Sequence, residues 1–301
     1  MADWDDLRVF LAVARGESLS RAGSVLKLDP ATVGRRVARL EGALAARLFT
    51  RSPQGYTLTD EGARLMAHAQ SVEATMESAR EAVAGTGAGI SGQIRIGAPD
   101  GCANYLLPQV VTAICAGNPG LEVQIVALPR VFSLNRREAD MVVAVSTPDS
   151  GRVLVQKITD YRLHLAAAAP YLASAPPLER LADLGAHRLI GYIPDMIFDR
   201  ELDYISALGV EAPPLASNSI SVQLNLIRRG AGVGVVHDFA LPFAPGVRRV
   251  LRDDYSLTRA FHLIRHSDDG RVPRLERFAT ALVSGLRREV ARLERAVERG
   301  S

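Results

Sequence analysis

Thr32, Arg35, Arg36 and Arg39 recur at intervals that place them on one side of a helix, while Val33, Val37, Leu40 and Leu44, spaced by four, three and four, share the other. Guanidinium groups and a hydroxyl in this array suit hydrogen bonding to base edges and phosphate oxygens of a duplex. A solvated basic helix shows the same pattern, so the neighbourhood has to decide. Between Arg21 and Arg51 seven Lys or Arg stand against Asp29 and Glu41 alone, a local charge of about +5 in a chain whose formal total is +3. Catalytic groupings are missing. There is no Gly-x-Ser-x-Gly elbow and no phosphate loop, and His262 and His266 lack the glutamate and helical setting of a zinc protease. The run Gly230-Ala231-Gly232-Val233-Gly234 follows a helical stretch and precedes a strand, the reverse of a dinucleotide fingerprint. Cys102 and Cys115 fit no zinc spacing; on one helix they would lie roughly 20 Å apart, beyond disulfide reach. The expectation is a protein that is not an enzyme and carries no cofactor or metal.

The elements that must position the basic residues follow in order. Asp3 caps a first helix whose Leu7, Phe10, Leu11 and Ala14 form an apolar stripe, ended by Gly16. Glu17 to Leu26 predicts a short helix, Lys27-Leu28-Asp29 a turn, and Pro30 to Leu44 a second helix opened by Asp29 as cap and Pro30 in the first turn. Leu48 to Arg51 and Tyr56 to Leu58 flank Pro53-Gln54-Gly55, which reads as a hairpin turn. The expected duplex-facing set is Ser20, Arg21, Ala31, Thr32, Arg35, Arg36, Arg39, Arg51 and Gln54, with Thr32, Arg35 and Arg36 at base edges and Arg39 and Arg51 on phosphates. Thr59, Asp60 and Glu61 then open a long helix in which Leu65, Ala69, Val72, Met76, Ala79 and Val83 make a heptad seam. Two such helices lying along each other would make a homodimer.

Trp4 to Ala14, the Ser18 to Leu26 helix, Arg35-Arg36-Val37-Ala38-Arg39-Leu40-Glu41, Arg47-Leu48-Phe49-Thr50-Arg51 and Tyr56-Thr57-Leu58-Thr59-Asp60-Glu61-Gly62 stand in the order of the LysR-type transcriptional regulators, which the chain resembles over nearly its whole length. It departs at Gly34, where that family usually has Ser, and at Asp29-Pro30-Ala31-Thr32, in place of Ser-Gln-Pro-Ala. The resemblance implies an α/β protein with an all-α winged helix-turn-helix N-terminal domain and a C-terminal two-lobed, periplasmic-binding-protein-like α/β sensor domain. It further implies a pseudo-palindromic promoter site on double-stranded DNA, a small-molecule effector, contact with RNA polymerase, and assembly as a homodimer or homotetramer.

At 301 residues, 48% hydrophobic and 23% charged, the chain has room for a small domain and a larger one. With no long apolar run and an acidic start, it reads as cytoplasmic, with no membrane partner. The expected divisions are 1–58 for DNA binding, 59–84 for the linker helix, a glycine-rich hinge at 85–92, and an effector-binding region at 93–301. Beyond the hinge, strands and helices alternate: 93–98, 102–116, 121–127, 141–145, 164–168, 188–192, 197–208, 221–229, 233–236, 258–265 and a last helix from Pro273. That alternation argues largely parallel central strands. The resemblance divides the region into lobe one, 93–157 and 263–301, and lobe two, 158–262. Ligands of such sheets sit beyond strand ends, which selects Asp100, Gly101, Val131, Phe132, Ser146, Thr147, Tyr192, Asn218, Ser219 and His237. Asp100 either caps the helix containing Cys102 or accepts hydrogen bonds from a cationic or hydroxyl-bearing effector. A solute-binding or enzymatic α/β protein with an incidental N-terminal dimerisation module is the alternative.

Overall fold

The computed structural model describes residues 3–52, 55–84, 89–128, 139–148, 151–267 and 272–299. The chain forms two compact units, Met1–Gly87 and Ala88–Ser301. In the first, α1 (Trp4–Gly16), α2 (Leu19–Leu26) and α3 (Pro30–Leu44) each start at a side-chain cap. Asp3 accepts from the Asp5 N–H, Ser18 from that of Arg21, and Asp29 from that of Thr32 at 2.8 Å. Each cap satisfies a donor that the helix start leaves free. Because Ser18 is the cap, α2 begins at Leu19, two residues later than the sequence suggests. Phe10, Leu11, Val33, Val37, Leu40, Leu48 and Phe49 close over a common core. Leu44 does not join them: it is 40% exposed on the last turn of α3, where Ala45 reverses into the left-handed region.

A hairpin of β1 (Phe49–Ser52) and β2 (Gly55–Leu58) follows, paired from Phe49 with Leu58 to Ser52 with Gly55. Glu41 of α3 accepts the N–H groups of Leu48 and Phe49, so the hairpin's first strand starts from the helix that precedes it. Next comes α4 (Asp60–Ala84), capped by the Thr59 hydroxyl, which accepts from the Gly62 N–H. Its apolar stripe is not uniform. Ala69 is buried and Leu65 half-buried against the unit's own core, which also takes Met66, whereas Val72 and Met76 are 40% and 39% exposed. A bidentate Arg15–Glu73 pair ties α1 to the middle of α4. The Val83 side chain lies outside the described residues.

The second unit contains β3 (Gly92–Pro99), α5 (Asp100–Tyr105), α6 (Leu107–Ala116), β4 (Leu121–Leu128), β5 (Met141–Ala144), β6 (Val153–Ala168), α7 (Ala169–Ser174), β7 (Leu189–Gly191), β8 (Leu215–Ala216), α8 (Ile220–Arg228), β9 (Val233–His237), β10 (Val247–Arg249), β11 (Ser256–His266) and α9 (Pro273–Arg299). The described strands form one sheet in the order β4-β3-β5-β11-β6-β9-β7-β8, with β10 on β6. The flanks are parallel: β3 with β4 and β5, and β7 with β8 and β9. The middle is antiparallel, against the expectation of largely parallel central strands, because the long strands β6 and β11 pair with each other along their length and join the two flanks. Their register shifts between Phe261 and His262, and there Arg287 of α9 donates to the carbonyls of Ile158, at 2.6 Å, and Lys157.

Three segments depart from expectation. The stretch 102–116 is two helices, broken at Leu106, because Pro108 cannot donate to the preceding turn. The two cysteines are therefore not on one straight helix, and both are free. The 197–208 segment makes short 3-10 turns at Arg200–Leu202 and Ser206–Leu208 rather than a regular element. Strand β6 starts at Val153, eleven residues before the apolar run that marks it, since its first half is largely exposed and mixes apolar with polar residues.

Candidate functional site

In the first unit most of the expected contact residues are at the surface. Ser20 and Arg21 of α2, and Ala31, Arg35 and Arg39 of α3, are exposed, and Thr32 and Arg36 are half-buried. Gly23 makes the approach of α2 to α3 possible: a Cβ there would come within 2.5 Å of the Leu28 carbonyl oxygen, in the turn between the two helices. The Asp29 carboxyl is held below its ordinary range by hydrogen bonds from the Thr32 hydroxyl and N–H, so it caps α3 as an anion. Arg35 donates to the Thr32 hydroxyl at 2.9 Å, which aligns both side chains on the open face. Arg51, on β1, lies over the Tyr56 ring at 5.5 Å. Gln54 lies outside the described residues.

The fold also brings acid to this face. Asp6 of α1 is buried and accepts Nε of Arg39 at 2.6 Å, with a second bond to Nη2, while Arg36 sits 3.4 Å from Asp5 and 4.0 Å from Asp6. Counting charge along the sequence from Arg21 to Arg51 misses these two carboxylates, which come from a helix outside that window. Arg39 is fastened by its fork to a buried partner, and Arg36 is partly neutralised. Arg35, whose nearest described partner is a neutral hydroxyl, is the least restrained of the three arginines of α3.

In the second unit, the expected ligand residues fall into three groups. Gly101, Tyr192 and His237 line one small buried chamber with Tyr161, Tyr204 and Ile220; at ≈ 10 Å³ it has the room of about one water. Burial pulls the His237 imidazole down to about 3, so it is neutral, and it lifts the hydroxyls of Tyr161, Tyr192 and Tyr204 well above the ordinary tyrosine value. The Tyr161 hydroxyl and Nδ1 of His237 have no hydrogen-bond partner among the described residues. Asp100, Ser146 and Ser219 form the second group, and each is engaged by its own chain. Asp100 is the first residue of α5 yet makes no cap there; its Oδ2 instead accepts the Ser221 N–H at 2.9 Å and the hydroxyls of Ser219 and Ser221, both at 3.1 Å. Ser146, just past β5, donates to Asp199. Thr147 is exposed and Asn218 half-buried, and neither lines the chamber. Val131 and Phe132 lie outside the described residues.

Sequence reasoning missed Tyr161, Tyr204, Ser221 and Asp199. Ser221 carried a usable signal, since a second hydroxyl two residues after a helix cap can share its anion. The tyrosines carried none, because Tyr161 lies on the central strand β6 and Tyr204 in the irregular stretch between β7 and β8, and only the fold brings them together. Cys102 is fully buried and its thiol is pushed far up by desolvation, which keeps it protonated and unreactive. The Gly230–Gly234 run is explained by packing: a Cβ on Gly232 would lie 2.0 Å from the Arg188 carbonyl oxygen. Among the described residues no group of His, Cys, Asp or Glu could hold a metal ion, and no helix is long and apolar enough to cross a membrane.

Residues 4–63 match the family described as "Bacterial regulatory helix-turn-helix protein, lysR family", and residues 87–287 match "LysR substrate binding domain". Among curated relatives, the HTH-type transcriptional regulator PtxR of Pseudomonas aeruginosa is 28% identical over 77% of this chain and 76% of its own. CrgA of Neisseria meningitidis is 23% identical over 94% of this chain and 96% of its own. Among solved structures, a full-length OxyR variant from Pseudomonas aeruginosa superposes with a TM-score of 0.72 at 20% identity, covering 95% of this chain and 98% of the other. Full-length LysG from Corynebacterium glutamicum, solved with bound Arg as effector, gives 0.66 at 19% identity over 94% and 98%.

Proposed function

The chain belongs to the LysR family of bacterial transcriptional regulators, with a helix-turn-helix unit and a substrate-binding domain, and from that premise we propose that it binds a pseudo-palindromic promoter site under the control of a small-molecule effector. The observation that carries the reading is the open face of α3, where Arg35 and Thr32 are aligned by their own hydrogen bond. In this reading α3 lies in the major groove, Arg35 bonds a base edge, and Arg51 and the hairpin rest on phosphate. Arg36 and Arg39, drawn toward Asp5 and Asp6, set the position of the helix and present leftover N–H groups to the backbone.

The exposed Val72 and Met76 of α4 support a second copy of the chain as the neighbour of that helix, which offers two reader helices to successive half-sites. Residues 93–301 form the effector-binding region, with the chamber around His237 as the effector site and the two sheet flanks as its lobes. The effector alters the spacing of the paired reader helices and so the contact with RNA polymerase. A protein with this task works in the cytoplasm, where the promoter is.

The test is fluorescence anisotropy on the DNA upstream of the chain's own gene, with random duplex as competitor and salt varied. Arg35→Ala is expected to lose about 1–3 kcal/mol on the specific site and to relax sequence preference, whereas Arg51→Ala lowers the salt slope by about 1 and weakens both duplexes alike. Equal losses on both duplexes for Arg35→Ala remove it from the reading role.

A further inference from the structure

The carboxylate of Asp100 reaches from one flank of the central sheet to the other. Asp100 follows β3, on one side of the long β6–β11 pair, and Ser219 and Ser221 open α8, on the opposite side. Three donors converge on Oδ2, namely one backbone N–H and two hydroxyls, and Asn104 donates to Oδ1 at 3.0 Å. With these four bonds the acceptor capacity of a carboxylate is nearly used up. A second bond, from Ser146 beyond β5 to Asp199, spans the same gap. Beside this junction lies the chamber that Gly101 and His237 share, in which Nδ1 of the buried His237 and the hydroxyl of the buried Tyr161 have no partner among the described residues.

We propose that Asp100 is a built-in occupant of an anion seat at the start of α8: it clasps the two flanks together and excludes free carboxylates from the adjoining chamber. The proposal rests on the regulator reading only in taking that chamber as the effector site. With the seat filled by the chain's own carboxylate, the polar atoms still open are those of a neutral imidazole and a phenol. Their chemistry suits an uncharged ligand bearing a hydroxyl or a carbonyl. A ligand larger than one water enters only as the clasp lets go, because the chamber has room for no more than that. Ligand binding and separation of the flanks are thereby one event.

Removing the Asp100 carboxylate leaves a space of the shape and charge preference of formate. The experiment is thermal unfolding of the full chain and its Asp100→Ala variant in sodium formate and in sodium chloride at matched ionic strength. The variant is expected to melt about 2–4 °C below wild type in chloride, and to recover at least half of that loss, saturably, in formate. Wild type is expected to melt alike in both salts. Adding Ser219→Ala and Ser221→Ala to the variant should abolish the recovery.

The proposal is overturned if Asp100→Ala melts with wild type, if formate helps it no more than chloride, if wild type responds to formate equally, or if the recovery survives loss of both serines. Should Asp100→Ala fail to fold without added anion, Asp100→Asn keeps the volume and removes the charge; a reduced midpoint supports the clasp and a wild-type midpoint overturns it. Anisotropy with the promoter duplex on the same preparations decides the regulator reading separately. Formate recovery without sequence preference removes that reading and leaves the clasp; intact preference without formate recovery removes the clasp alone.

Discussion

Asp6 and His237 show opposite uses of a buried polar group. The carboxylate of the buried Asp6 is made tolerable by the Arg39 fork, and loss of Arg39 would leave it short of a partner, whereas loss of Asp6 would only release the exposed Arg39 to solvent. His237 is buried without a charge partner and avoids the cost by staying neutral. Its folded-state value of about 3 lies below the ordinary 6.5 of an unfolded chain, so the unfolded state takes the proton first. The stability tied to this neutral ring is complete above pH 6.5 and is lost as pH falls from there toward about 3. The expected slope is about 1.4 kcal/mol per pH unit inside that window. Calorimetric unfolding at stepped pH checks it: His237→Gln should flatten the dependence, and an unchanged slope in the variant assigns the acid sensitivity to other groups.

At the scale of the element, the α2–α3 turn is set by the absence of a side chain at Gly23. Gly23→Ala places a carbon 2.5 Å from the Leu28 carbonyl oxygen, within backbone that cannot swing aside, and is expected to destabilise the first unit by about 1–3 kcal/mol. Trp4 is the chain's one tryptophan and lies in α1, so its fluorescence during guanidinium unfolding reports that unit alone. No shift of the midpoint would mean that the turn re-forms around the methyl. These helices were legible in the sequence because their signals are local: Asp3, Ser18 and Asp29 are caps within three residues of the groups they satisfy, and α9 starts at the Pro273 that marks it. What could not be read depends on distant partners. Asp5 and Asp6 reach the arginines of α3 only through the fold, Asp100 finds donors more than a hundred residues away, and the first half of β6 is a strand only because β11 pairs with it. The break at Leu106 was visible as Pro108, yet the apolar run across it read as continuous.

At the scale of the whole molecule, the exposed part of the α4 stripe is where assembly is to be tested. Val72→Asp with Met76→Asp places charge in the seam while leaving Met66 and Ala69, which pack within their own unit, untouched. Sedimentation should show the double variant as a monomer with the fluorescence of Trp4 unchanged, and promoter affinity should fall by at least tenfold as the second half-site contact is lost. A dimer that survives both charges would put the subunit contact elsewhere. One further consequence comes from the place where the β6–β11 register slips. A slip of this kind leaves backbone acceptors unmatched and would ordinarily make a soft elbow in a two-stranded ribbon. Here Arg287 fills both vacancies from the side, as a rivet driven through the joint by the C-terminal helix. The ribbon linking the flanks is thereby stiffened at its weakest point, and whatever swings must swing by shearing past α9 rather than by folding at the crease.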